Sequence, residues 1–228
     1  MALPNSFTKL YLDFIQKLQT LTLGISIAVL LTLPILLSFF PSLVPKTAWG
    51  MLYATSLACV FFVMVIRPLA DIFSNTPWIR ALVILRKGLG VLSASIIVSF
   101  AFSKIILTGT DYFTAMFTPA YWSLANYGLF AHLGDWAAIP LLITSNKFSK
   151  RVLGVWWKRI QKLAYVYFYA GALYELLALQ STFAFVALII VTLLVLIAFV
   201  KNQFKDKQPT TSIPQPPQQS PQPLTQSL

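Results

Sequence analysis

The chain has 228 residues, 57% of them hydrophobic and 10% charged, with a mean hydropathy of +0.75 and a formal net charge of +11. Soluble domains carry about 25% charged residues, so the composition excludes an ordinary soluble fold and points to a polytopic membrane protein. It also leaves no room for a Rossmann-like NADPH or flavin unit, since there are only nine glycines and no GxGxxG follows a strand.

Segment 1–20 comes first. Leu10, Tyr11, Phe14, Ile15 and Leu18 share one helical face, with Lys9, Asp13 and Lys17 elsewhere. That spacing predicts either an amphipathic helix on the cytoplasmic leaflet or an extension of the first span. Six apolar stretches follow within 21–200, at about 21–40, 49–66, 88–107, 124–144, 163–179 and 182–200. A bilayer core of about 30 Å takes about 20 residues of helix. Pro34 and Pro140 fall inside two of the stretches, which membrane helices tolerate. The first is not expected to be a cleaved signal, because Phe39-Phe40-Pro41 is no small-residue cleavage site. Cys59 is the only cysteine and lies in an apolar run, so no disulfide forms within the chain and the thiol packs as a small hydrophobe.

The basic residues sort by side. Two precede the first span, four lie between the second and third, six between the fourth and fifth, and three follow the last; only Lys46 and Lys104 fall opposite. By the positive-inside rule both termini are expected in the cytoplasm of a multi-pass cell-membrane protein. This topology accounts for the charge without nucleic acid; the bilayer is the expected partner. The tail 201–228 turns to Pro, Gln, Ser and Thr from Gln208 onward, with no aromatic residue there, and is expected to be disordered.

Two corners on the basic side carry a pattern. One is Arg67-Pro68-Leu69 followed by Leu85-Arg86-Lys87-Gly88-Leu89-Gly90. The other runs from Pro140-Leu141-Leu142-Ile143-Thr144-Ser145 through Leu153-Gly154-Val155-Trp156-Trp157 to Leu163-Ala164-Tyr165. In order and spacing they resemble the ferric reductase-like transmembrane domain family, in particular its heme-binding membrane subunits of bacterial methionine sulfoxide reductase systems. The resemblance covers about 49–200. It implies an all-α, six-transmembrane-helix bundle, b-type heme, and electron transfer with a separate redox protein. The same residues also have architectural uses. Arg86 and Lys87 can anchor at anionic headgroups. Gly88 and Gly90 allow close helix approach, Thr144 and Ser145 can cap a helix end, and Trp156 and Trp157 suit the headgroup belt.

The resemblance also implies heme histidines at three positions, which here hold Phe100, Gln161 and Tyr174. Phe cannot ligate iron and Gln is a poor ligand. Tyrosinate can bind ferric heme, but an anion within the membrane is costly. The one histidine, His132, is expected near the middle of the fourth stretch, with Asp135 at i+3 on the same face. Three roles compete for this pair: a structural clasp, a proton or quinone-type site, and a rebuilt heme site in which Asp135 orients the imidazole. Lys104 and Glu175 are expected at similar depth, either paired or snorkelling outward. Tyr165, Tyr167, Phe168, Tyr169 and Tyr174 crowd the fifth stretch, as plain packing or a planar cofactor would require.

No self-contained catalytic site is visible. The first expectation is a divergent family member without the bis-histidine heme sites, acting as a membrane partner or scaffold. The alternatives are an electron-transfer subunit of an oxidoreductase holding heme, flavin or quinone through nonstandard residues, and a small transporter.

Overall fold

The computed structural model describes residues 5–73, 76–124 and 127–206. These are helical throughout, without strands: α1 (Asn5–Phe39), α2 (Lys46–Ile72), α3 (Pro77–Leu82), α4 (Leu85–Thr108), α5 (Thr110–Met116), α6 (Gly128–Ile143), α7 (Lys147–Leu153), α8 (Val155–Ile160), α9 (Leu163–Ala178) and α10 (Thr182–Asp206). Two 3-10 turns, Pro41–Leu43 and Pro119–Trp122, complete the described elements.

Four stretches are long and apolar enough to cross a membrane: Thr8–Phe39, Thr47–Ile72, Pro77–Thr108 and Thr182–Phe204. This fits an integral membrane protein. Of the six expected spans, the fourth and fifth are the shorter helices α6 and α9, each of 16 residues and thus about 24 Å long. The fourth starts later than its apolar pattern suggests. Tyr127 enters the left-handed region at φ 55°, so α6 begins only at Gly128. At the far end of α9, Gln180 at φ 50° turns the chain into α10.

Helix α1 runs unbroken from the amphipathic segment into the first span over 35 residues, about 52 Å. Among its buried positions, Ile15, Thr22, Ser26, Leu33 and Leu37 recur at intervals of seven and four, which makes one helical stripe. That stripe serves α4, the main neighbour of α1. Helix α4 in turn packs against α2 and α6, while α2 also meets α9 and α10, and α6 meets α9.

The contact faces are rich in small residues. Ser93, Ala94, Ser95, Ser99, Ala101 and Ser103 are buried along α4, and Ala184, Ala187, Val191 and Ala198 along α10. Lipid tails are as apolar as leucine, so membrane helices gain by close backbone approach more than by hydrophobic burial. Gly88 has this role: a Cβ there would lie 3.2 Å from Thr22 Cβ and 3.4 Å from the Gln19 carbonyl oxygen. At Gly90 the nearest atom would be at 3.7 Å, an ordinary contact.

The basic corners gather at one end of the bundle. There Arg86 Nε donates to the Val63 carbonyl at 3.1 Å, and Lys201 Nζ donates to the carbonyls of Ile72 and Asp71. Arg159 lies 4.6 Å from the ring centroid of Trp156, and Lys150 5.3 Å from that of Trp157. Residues 201–206 of the expected disordered tail continue α10 as helix, and 207–228 lie outside the described residues.

Candidate functional site

The three positions at which the resemblance implies heme histidines lie in three different settings. Phe100, on α4, is 4% exposed and sandwiched between two rings of α2. Tyr53 stacks on it at 4.5 Å and 8°, and Trp49 at 5.3 Å and 23°. Gln161 is at the basic end, between α8 and α9, where its Nε2 donates to Thr144 Oγ1 at 3.2 Å. The same threonine accepts from Trp157 Nε1 at its carbonyl (2.9 Å) and donates from its hydroxyl to the Pro140 carbonyl (2.6 Å). These bonds close the C-terminus of α6 and dock the next helices on it. Tyr174 is near the other end of α9, beside a cavity.

His132 is the fifth residue of α6, one turn inside its start rather than midway along the span. Its ring stacks on Tyr121 at 3.5 Å and 10°, and meets Trp122 edge-on at 6.2 Å. The 3-10 turn Pro119–Trp122 therefore lids the histidine. Burial pushes the Tyr121 phenol above its ordinary pKa, helped by its hydrogen bond to the Tyr112 hydroxyl at 3.2 Å. His132 Nδ1 lies 3.9 Å from Asp135 Oδ2, too far for a direct hydrogen bond, and it is buried without a hydrogen-bond partner.

Asp135 itself faces inward. It lines a cavity of about 80 Å³ between α2, α4, α6 and α9, at the end away from the basic corners. Tyr53 and Ser56 come from α2, Lys104 from α4, and Tyr167, Tyr174 and Glu175 from α9. Two glycines make the space: Gly134 of α6 and Gly171 of α9 line it, and a Cβ on Gly134 would lie 3.9 Å from the Gly171 nitrogen. Lys104 and Glu175 share the cavity as their similar depth predicts. They do not close to an ion pair: among the described residues the charged contacts within 4.0 Å are Arg67–Asp71 and His132–Asp135.

Beneath the cavity lies a cluster that sequence reasoning missed. Ser56 Oγ, Ser93 Oγ and Tyr167 OH are mutually hydrogen-bonded at 3.0, 2.9 and 2.7 Å, joining α2, α4 and α9. Ser93 Oγ also donates to the Ser56 carbonyl at 2.8 Å. The available signal was Thr55-Ser56 in a mostly apolar run, opposite a serine-rich helix.

The residues present do not fit a heme held in the family manner. Phe100 offers no lone pair and its surroundings are filled by rings, Gln161 is committed to the Thr144 corner, and one face of His132 is covered by Tyr121. Ligand pockets usually measure about 300–1,000 Å³, so the cavity of about 80 Å³ is too small for heme or flavin. Among the described residues no three His, Cys, Asp or Glu side chains gather as a metal site. The chain matches no protein-family model, no curated protein and no solved structure.

Proposed function

We propose that the chain is a multi-pass protein of the cell membrane with six crossing helices and both termini in the cytoplasm. On this reading it is a heme-free relative of the ferric reductase-like bundles. It serves as a membrane partner or scaffold for a separate redox or membrane protein. The observation that carries the reading is the ring stack Trp49–Phe100–Tyr53, which fills the interior at a position where the resemblance calls for an iron ligand. The orientation is supported by the basic corners, where Arg86, Lys150, Arg159 and Lys201 gather at one end of the bundle.

The test is a reduced-minus-oxidised visible spectrum of the purified chain. A featureless spectrum from folded protein is expected. Sharp b-type bands that vanish in His132→Ala would overturn the proposal and restore the electron-transfer alternative.

A further inference from the structure

Glu175 poses a problem of charge. Its residue is 6% exposed, and its carboxylate has neither a hydrogen bond nor an ion pair. It lies against the cavity that Asp135 also lines. A buried carboxylate normally finds a cationic or hydrogen-bonding partner, because leaving it alone in a low-dielectric interior is expensive. The cavity brings two carboxylates, Asp135 and Glu175, against one ammonium, Lys104. With His132, 3.9 Å from Asp135, counted as neutral, one negative charge is left uncompensated.

The donor set is oxygen-rich. Besides the carboxylates, the cavity presents the phenols of Tyr53, Tyr167 and Tyr174 and the hydroxyl of Ser56. Carboxylate and hydroxyl oxygens select hard cations. A transition-metal site would need more His, Cys, Asp or Glu side chains than gather here among the described residues. A divalent ion would overshoot the charge that Lys104 leaves over. A volume of about 80 Å³ has room for a small ion with water but not for an organic cation of cofactor size.

We propose that this cavity binds one small monovalent cation of the Na⁺ class, held by the carboxylates of Glu175 and Asp135 with neighbouring hydroxyl oxygens. The groups facing Glu175 are Tyr53 from α2, Lys104 from α4, Asp135 with His132 behind it from α6, and Tyr167 and Tyr174 from α9; α10 brings none to the cavity. The oxygens around the ion come from α2, α6 and α9, so binding ties these three helices together and stabilises the bundle by mass action.

The experiment is thermal unfolding of the full chain in detergent, at equal ionic strength and at several set pH values, in choline, lithium, sodium or potassium chloride. Sodium is expected to raise Tm by about 2–4 °C over choline. Glu175→Gln should remove the rise, while Asp71→Asn at the other end of the bundle should keep it. Should Glu175→Gln not fold, Asp135→Asn takes its place, and the wild-type salt series is decisive by itself. Equal Tm in all four salts overturns the proposal, as does a sodium effect that survives both cavity variants. A shift that follows pH alike in choline and sodium also overturns it and gives the cavity to protons. None of these results touches the spectrum, so the cation site and the heme-free reading stand or fall separately.

Discussion

Phe100 sits where two neighbouring rings leave little space, with Tyr53 at 4.5 Å and Trp49 at 5.3 Å. Truncating it removes both contacts and opens a void that rings fixed on α2 cannot collapse to fill. Phe100→Ala is therefore expected to cost about 3–5 kcal/mol. Thermal unfolding of the variant beside wild type checks this; a loss no larger than that of a surface substitution would refute the stack's role. Local motifs single out Phe100, Gln161 and Tyr174, but they do not carry the surroundings of these residues. Trp49 is 51 residues from Phe100 in the chain, and Thr144 is 17 from Gln161. Pairings at such separations follow from which helices become neighbours, which periodicity does not encode. His132 was misplaced in depth for another reason. The apolar run reaches back to Leu124, while the left-handed residue that delays α6 is Tyr127 and not the glycine that follows it.

The helices show two kinds of glycine with opposite expectations. Gly88 is in the first turn of α4, where a methyl would press on Thr22 of α1 at 3.2 Å. Gly171 lies mid-helix in α9, where a methyl would meet nothing within 4 Å. Gly88→Val should thus destabilise the α1–α4 contact by about 1–3 kcal/mol. Gly171→Ala should stabilise by about 0.5–1 kcal/mol, the usual helical gain. Paired Tm measurements on the two variants check the signs. The close approach at Gly88 was readable from its neighbourhood of basic and small residues. The openness at Gly171 was not, since only the facing of α9 on Gly134 of α6 reveals the cavity. The buried stripe of α1 was legible only in part: Ile15 belongs to its amphipathic face, but Leu10 and Phe14 of that face are exposed, and Thr22 and Ser26 of the stripe are polar.

At the level of the bundle, the distribution of basic residues predicts that a reporter fused after Leu228 stays cytoplasmic. An alkaline phosphatase fusion there should be inactive and a green fluorescent one bright. The reverse pattern would discard the proposed orientation. Span number was read from composition as six. Four helices have full crossing length, because composition registers an apolar run without registering where its backbone turns. The two that fall short, α6 and α9, stand side by side. At about 24 Å each they are about 6 Å shorter than a typical hydrocarbon core of about 30 Å. In a six-crossing arrangement the lipids along that flank must shorten their chains to match, while those beside α1 and α10 need not. The protein would then carry its own thin patch of bilayer on one side. Hydrophobic mismatch would orient it toward neighbours whose membrane-facing surfaces are equally short.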